Sequence, residues 1–233
     1  MDSPLAVALK KFRGITRLVC HLRLPPLEYD LKRKNNQLGL LAPLVDQFVV
    51  ANENMRMAHI ASGIADHKIV VVPNAFNFDN YGFRNPKRIE RGKHLRLAYL
   101  GRIEEEKGLH ELINELLFLK KIYPQFTLSV GGLPFNESQQ DYLNKCKEAV
   151  VSLGLNENVK FDGHIDDPVK FLSDKDVTLF PSIWNEPFGR VLVESIIAGT
   201  PVISRDVGSV KEILNDPQGE WTYTTATDLS SKI

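Results

Sequence analysis

The stretch Leu95–Tyr123, which reads LRLAYLGRIEEEKGLHELINELLFLKKIY, decides the fold class. Its first six residues are a short apolar run of the kind that forms a buried strand, and from Gly108 onward leucine and isoleucine recur at helical spacing. A glycine-bounded turn joins the two segments. A strand followed directly by an amphipathic helix is the repeating half of a βαβ unit, so the stretch predicts a parallel sheet.

The same alternation continues on both sides of this stretch. Downstream, the pattern predicts four strands and four helices: Phe126–Val130, Ser138–Leu153, Val159–Phe161, Asp167–Leu172, Val177–Phe180, Phe188–Ala198, Pro201–Ser204 and Ser209–Leu214. Upstream, it predicts Leu5–Phe12, Ile15–His21, Gln47–Val50, Glu53–Ser62 and Lys68–Val72 as helix, strand, strand, helix and strand. We therefore expect an α/β protein with helices on both faces of a parallel sheet. In such sheets, ligands bind outside the carboxyl ends of the strands.

Composition excludes several classes of protein. The 233 residues carry 29 basic and 29 acidic side chains, so the basic excess of a nucleic-acid-binding protein is missing. We see no signal-peptide pattern and no apolar run long enough for a membrane span, although peripheral membrane contact stays open. Cys20 and Cys146 both lie in apolar patterns, which is typical of free thiols in a reducing compartment. We expect a cytoplasmic protein.

The turn Gly101–Gly108, GRIEEEKG, is the first candidate site. A strand-to-helix turn directs backbone N–H groups and the positive end of the helix toward a ligand, and Arg102 and Lys107 add cations suited to a diphosphate. The alternative is a solvated charged loop, because Glu104–Glu106 would repel phosphate if they faced it. The chain has no P-loop and no G-x-G-x-x-G pattern, which argues against an NTPase or a dinucleotide site.

A pair of glutamates, Glu186 and Glu194, marks the second candidate site. We expect Pro187 in the first turn of a helix, which places the two carboxylates about two turns apart on roughly the same side. Such carboxylates can accept hydrogen bonds from sugar hydroxyls and from a ribose diol. The alternative is that Glu186 favours the helix dipole while Glu194 forms a surface ion pair. The apolar neighbours of Glu194 favour the binding hypothesis, since a buried carboxylate needs a partner.

These segments together resemble glycosyltransferase family 4, retaining enzymes of the GT-B fold with two Rossmann-like domains. The Glu-x₇-Glu signature matches Glu186–Glu194, and the pattern continues through Ala198–Ile203 and Gly208–Glu212. Upstream, Lys68–Asn74, Leu97–Gly108 and Gly163–Ile165 resemble the close of the first domain, the diphosphate loop and the turn that meets the base. The resemblance covers roughly residues 15–215, with the motifs in the family's order.

The resemblance implies a role for each matching residue. Arg102 and Lys107, beside Gly101, would neutralise the departing diphosphate, and the backbone at Ile165 would meet the base. Further residues would hold the donor sugar and its ribose: Glu186, Phe188, Gly189, Arg190, Val191 and Glu194. Fixed cations stabilise the leaving group, so neither a metal nor another cofactor is implied. Accordingly, Asp174-Lys175-Asp176, which mimics a metal-binding Asp-x-Asp motif, is interpreted as a helix-to-strand turn.

His21 is a third candidate, since it ends an apolar run at the carboxyl end of a predicted strand. Family members often carry a histidine at the matching place, near the anomeric carbon of the donor; the alternative is a structural histidine. The remaining histidines show no zinc-ligand spacing.

The resemblance also predicts a domain plan. Residues 1–80 would be a partial N-terminal, acceptor-side domain, residues 81–94 a linker, and residues 95–233 the C-terminal nucleotide-sugar domain. Because several βα units of the first domain lack counterparts here, we expect a fragment whose acceptor site is mostly missing. The chain would then be a transferase acting on an unknown sugar, lipid or small-molecule acceptor. Alternatively, it is a donor-binding module that needs a partner chain, or a nucleotide-sugar epimerase of the same fold.

Overall fold

The computed structural model describes residues 17–26, 42–76 and 94–233. The chain divides into two compact units, residues 1–76 and residues 77–233. The predicted helix Leu5–Phe12 and all but the last residue of the predicted linker 81–94 lie outside the described residues.

Within residues 17–26 and 42–76, the first unit shows a parallel three-stranded sheet with the order β1-β2-β3 and one α-helix packed against it. The bounds are β1 Val19–His21, β2 Gln47–Val50, α1 Glu53–Ala61 and β3 Ile69–Val71. The side chain of Asn52 accepts a hydrogen bond from the backbone of Met55 and so caps α1. Phe48, Val50 and Met55 form the centre of the core. The predicted first strand starts too early, because Leu18 bonds to Asp46 before the pairing with β2 begins.

The second unit is a six-stranded parallel sheet flanked by helices. Its elements alternate along the chain: β4 Leu95–Leu100, α2 Leu109–Ile122, β5 Phe126–Gly131, α3 Glu137–Ser152, β6 Val159–Gly163, α4 Pro168–Ser173, β7 Val177–Phe180, α5 Arg190–Ile197, β8 Val202–Arg205, α6 Val210–Ile213, β9 Thr222–Tyr223 and α7 Ala226–Lys232. The alternation from β4 to α6 is as predicted. The α/β class with flanking helices is thereby confirmed.

The strand order of this sheet is β6-β5-β4-β7-β8-β9. Counted from β4, this is the 3-2-1-4-5-6 order of the Rossmann fold, in which the chain winds outward from the centre in two directions. The winding reverses between β4 and β7, which pair through Leu97 and Val177. In the Rossmann fold, ligands bind beyond the carboxyl ends of the strands at such a reversal.

Burial explains why these segments adopt their positions. Helix α2 presents five fully buried side chains to the sheet: Leu109, Leu112, Ile113, Leu116 and Leu119. All four residues of β7 are buried, which is typical of a central strand covered on both faces. In the residues that the structure describes, we find no helix that is long and apolar enough to cross a membrane.

Two details differ from the sequence prediction. Helix α5 starts at Arg190 and not at Phe188, because Gly189 adopts a left-handed conformation with φ of 66° immediately before it. Strand β9 and helix α7 were not predicted. Two residues are too few for a periodic strand pattern, and α7 is a short helix capped by the side chain of Thr225.

Candidate functional site

The two candidate loops of the second unit lie side by side at the reversal of strand order. The turn 101–108 follows β4, and the loop 181–189 follows β7, its neighbour in the sheet. The carbonyl oxygen of Glu106 accepts hydrogen bonds from Ser182 Oγ, Ile183 N and Trp184 N at 3.2, 3.0 and 3.2 Å. A single backbone carbonyl therefore ties the two loops together.

Gly108 allows this close approach. Its φ is 68°, and a Cβ atom at this position would lie 2.1 Å from the carbonyl oxygen of Pro181. Any other residue would push the two loops apart and would also be strained in the left-handed region. Gly108 is therefore needed both for the close contact with the neighbouring loop and for the start of α2.

The side chains of the two loops meet at a buried ion pair. Lys107 Nζ lies 2.6 Å from Glu186 Oε2, and the two side chains are only 15% and 10% exposed. Glu186 and Pro187 precede α5, which begins at Arg190, so the predicted place of Pro187 in the first helical turn is wrong. Glu186 is therefore paired with Lys107. This differs from the alternative in which Glu186 only interacts favourably with the helix dipole.

The loop after β8 fixes the backbone of Glu186. Ser209 N donates to the carbonyl oxygen of Glu186 at 3.0 Å. Gly208 has φ of 55°, and an added Cβ would lie 2.3–2.4 Å from the backbone O and N of Glu186. The turn after β4, the loop after β7 and the segment after β8 follow three neighbouring strands, and all three meet at Glu186.

Arg102 is the more exposed cation of the site. Its side chain is 58% exposed, and Nη2 lies 2.8 Å from Glu104 Oε1. The other oxygen of Glu104 accepts from Gln139, while Tyr99 Oη donates to the carbonyl oxygen of Arg102 at 2.8 Å. Glu104, one of the three glutamates of this turn that could repel an anion, is therefore paired with the neighbouring cation Arg102.

Glu194 lies in α5 with a side chain only 15% exposed, and Arg190 Nη2 approaches its Oε1 to 3.5 Å. Burial raises the pKa of Glu194, and the nearby Arg190 guanidinium partly opposes this. Because Glu186 is not in the helix, the expected two-turn spacing of the carboxylates along one helix face is wrong. Each glutamate instead has its own cation.

The ends of β5 and β6 bring the remaining predicted residues of this unit close together. Gly132 N donates to the carbonyl oxygen of Gly163 at 2.7 Å, and Gly101 N donates to that of Gly131 at 3.1 Å. A Cβ on Gly131 would lie 2.6 Å from the side chain of Ile165. Ile165 therefore packs directly against the strand next to the turn that carries Arg102.

His21 belongs to the first unit, where it is the exposed last residue of β1, at the carboxyl end as predicted. Its part in a common site with the second unit stays a prediction.

The Asp174–Asp176 segment forms the turn between α4 and β7, as predicted. Asp176 accepts hydrogen bonds from Arg96 N and Nη2 at 2.8 and 2.7 Å. Across residues 17–26, 42–76 and 94–233, no group of three or more His, Cys, Asp or Glu side chains is arranged to hold a metal ion.

Two contributors to the site were missed by the sequence argument. One is the Glu106 carbonyl, whose backbone role leaves no trace in residue type. The other is Arg205, the last residue of β8, whose Nε lies 3.3 Å from the Pro181 carbonyl oxygen. A charged residue at the carboxyl end of a predicted strand was the available signal for Arg205.

Comparison with known proteins shows the family that the chain resembles. The sequence model of the family described as glycosyl transferases group 1 matches residues 83–233. The capsular polysaccharide biosynthesis glycosyltransferase CapM of Staphylococcus aureus is 30% identical over 73% of this chain and 46% of its own length. Glycogen synthase of Mycobacterium tuberculosis is 32% identical over 67% of this chain and 36% of its own length. The chain thus spans less than half the length of these relatives.

Solved structures share the fold. A crystal structure of Anabaena HepE in complex with UDP matches 98% of this chain and 65% of its own, with a TM-score of 0.81 and 23% identity. The OtsA apo structure matches 98% of this chain and 61% of its own, with a TM-score of 0.77 and 14% identity.

Proposed function

Because the chain belongs to the glycosyl transferases of group 1, we propose that it binds a nucleotide-diphosphate sugar and transfers the sugar to an acceptor. The transfer would be of the family 4 type, with retention at the anomeric carbon and without a metal ion. The observation that carries the proposal is the Lys107–Glu186 pair, held between two loops at the reversal of strand order. At such a reversal, the Rossmann fold binds nucleotides.

The cations of the turn 101–108 would act on the leaving group. Cleavage of the bond between sugar and phosphate leaves negative charge on the departing diphosphate, and fixed positive charges lower the barrier to this step. Lys107 has three N–H donors, so it can bind a phosphate oxygen while still donating to Glu186. Arg102, which is mostly exposed, can turn from Glu104 toward the second phosphate and bind it bidentately.

The carboxylates would hold the two sugar rings. Glu186, with the backbone of Phe188, Gly189 and Arg190 and the neighbouring Val191, would bind the transferred sugar. Glu194 would accept from the ribose hydroxyls. The base would lie against the backbone at Ile165, and His21 would contribute near the anomeric carbon. Support for these roles comes from the positions of the second-unit residues at the carboxyl ends of the strands.

We also propose a cytoplasmic location, since Cys20 and Cys146 are both free thiols. The acceptor is proposed to be a sugar, lipid or small molecule, with peripheral membrane contact or a partner chain as further possibilities for the full protein. UDP-glucose is the first donor to test, because HepE was crystallised with it.

Calorimetric titration with UDP-, GDP- and ADP-glucose tests the proposal. We expect one of the three to bind, and Lys107→Met to weaken that binding by about 100-fold, the scale of losing a charge-assisted phosphate contact. Lys170→Met, which changes an exposed lysine of α4, should leave binding unchanged. If none of the donors binds the wild-type chain, the proposal is wrong.

Product analysis then separates the activities of this fold. Release or transfer of the sugar indicates a transferase, whereas a changed sugar still attached to its nucleotide indicates an epimerase. Binding without either product indicates a donor-binding module that requires a further chain. The chain covers 46% of the CapM relative and 36% of the glycogen synthase relative.

A further inference from the structure

The loop Pro181–Glu186 is held at both ends by one short segment. Arg205 Nε donates to the carbonyl oxygen of Pro181 at 3.3 Å, and Ser209 N donates to that of Glu186 at 3.0 Å. Both donors come from the residues that end and follow β8. The segment 205–209 therefore contacts both ends of the loop.

Arg205 is itself fixed by two side chains from other elements. Its Nη2 lies 2.5 Å from Glu115 Oε1 of α2, and its guanidinium carbon lies 5.2 Å from the ring centre of Tyr223 in β9. Tyr223 Oη donates to Glu115 Oε2 at 3.2 Å. The three side chains form a closed network in which each member contacts the other two.

This network is buried. The side chains of Arg205 and Glu115 are 19% and 12% exposed, and Tyr223 is fully buried. Burial also raises the pKa of Tyr223, so its hydroxyl keeps its proton and remains a donor. A buried, satisfied polar network resists rearrangement, because breaking one bond leaves a charge without a partner.

The network also connects to the other candidate loop. Glu115 lies in α2, which starts directly after Gly108, and Gly108 packs against the same Pro181 carbonyl that Arg205 contacts. One carbonyl group is thus enclosed by α2 on one side and by Arg205 on the other. Movement of Arg205 would remove one of the contacts that hold the start of the loop that carries Glu186.

We propose that Arg205, held by Glu115 and Tyr223, is a positioning residue that fixes the Pro181–Glu186 loop against the turn 101–108. Arg205 would not touch the donor. It would act by keeping Glu186 within reach of Lys107, so the inference rests on the proposed function for its catalytic meaning. The immobilisation of the Pro181–Glu186 loop can itself be measured without any donor.

Trp184 provides that measurement. The chain has two tryptophans, Trp184 within the loop and Trp221, so Trp221→Phe leaves Trp184 as the single tryptophan, whose emission reports on the loop. In this background, we expect Arg205→Met to raise the acrylamide quenching constant of Trp184 by about 2-fold or more, as local opening exposes the indole. UDP-glucose affinity should fall about 10-fold, since positioning errors weaken binding and catalysis together.

Arg96→Met is the matched control. Arg96 also pairs with a carboxylate, Asp176, but it lies in β4 close to the start of that strand, away from the carboxyl ends. It should lower stability and leave Trp184 quenching unchanged. If Arg205→Met does not fold, Arg205→Lys keeps the charge without the planar fork and should show a smaller effect of the same sign.

The outcomes distinguish this inference from the proposed function. Unchanged quenching in folded Arg205→Met or Arg205→Lys overturns the positioning role, even if the wild-type chain binds UDP-glucose. Increased quenching with no donor binding by the wild-type chain keeps the positioning role and overturns the proposed function. Equal quenching increases in the Arg205 and Arg96 variants would show a general loss of stability and would also overturn the inference.

Discussion

Lys107 Nζ donates to Glu186 Oε2 at 2.6 Å, although the two residues are 79 positions apart in the chain. Each side chain is nearly buried, so each charge depends on the other for its compensation. A diphosphate sugar would enter a site in which cation and carboxylate are already in place.

The pair should show energetic coupling. Lys107→Met and Glu186→Gln should each lower the free energy of unfolding by about 3 kcal/mol, because each leaves one buried group without its partner. The double variant should lose clearly less than the sum of the two. Urea unfolding followed by tryptophan fluorescence measures this for the second unit, which contains both Trp184 and Trp221. Strict additivity would contradict the observed contact.

Gly208→Ala should disrupt the site through the backbone of Glu186. The added Cβ would lie 2.3–2.4 Å from Glu186 backbone atoms, so the loop must move. We expect a loss of about 3 kcal/mol in unfolding free energy and at least a 10-fold loss in donor affinity.

Gly154→Ala is the control for Gly208→Ala. Gly154 has a similar φ, 64° against 55°, but its added Cβ would meet nothing within 4 Å. It should cost only about 1 kcal/mol, from the left-handed conformation, and should leave donor affinity unchanged. Equal effects at the two glycines would show that the Glu186 contact is unimportant.

Glu194→Gln should stabilise the empty protein while weakening donor binding. Burial raises the folded-state pKa of Glu194, so between its ordinary pKa and the raised one the native state binds more protons than the unfolded state. Stability therefore falls as the pH rises through this window. The amide has no charge to bury, and we expect a gain of roughly 0.5–1 kcal/mol at pH 7.

The pH dependence identifies the cause of this gain. The stability difference between Glu194→Gln and the wild-type chain should be smaller at pH 4 than at pH 7. Glu148→Gln, at an exposed position of α3, should show no such trend. A stability gain that is independent of pH would mean that burial of the Glu194 charge is not responsible.

Asp176→Asn should affect stability without affecting donor binding. The carboxylate of Asp176 accepts from the backbone N and from the guanidinium Nε and Nη2 of Arg96, and its replacement weakens these three charge-assisted hydrogen bonds. We expect a loss of about 1–2 kcal/mol, with donor affinity unchanged and insensitive to EDTA. Asp174→Asn, an exposed neighbour in the same turn, should change neither property. A loss of donor affinity in Asp176→Asn that added Mn²⁺ restores would support a metal-binding role instead.

Periodicity predicted most elements of the second unit to within two residues, because long apolar runs and amphipathic helices must bury one face whatever the tertiary context. Two local differences remained. The start of α5 was misplaced because Gly189 adopts a left-handed conformation, which periodicity cannot register. The end of the unit was missed because β9 has only two residues.

For the candidate site, too, some features were predicted from the sequence and others were not. Residue types and spacing marked Arg102, Lys107, Glu186 and Glu194 as candidates, and their roles in donor binding stay predictions. The partners of these residues were not predictable. Lys107 with Glu186, and Arg190 with Glu194, are pairings that depend on which loops the strand order brings together.

The sequence by itself determined the α/β class and the order of most elements, and it marked the candidate residues for binding an anion and hydroxyl groups, because these follow from periodicity and side-chain chemistry. Only the tertiary structure decided that β4 and β7 are neighbours, and hence that the turn 101–108 meets the loop 181–189. Strand pairing between segments about 80 residues apart leaves no local signal. The Lys107–Glu186 pair and the Arg205 network exist only because that pairing occurs.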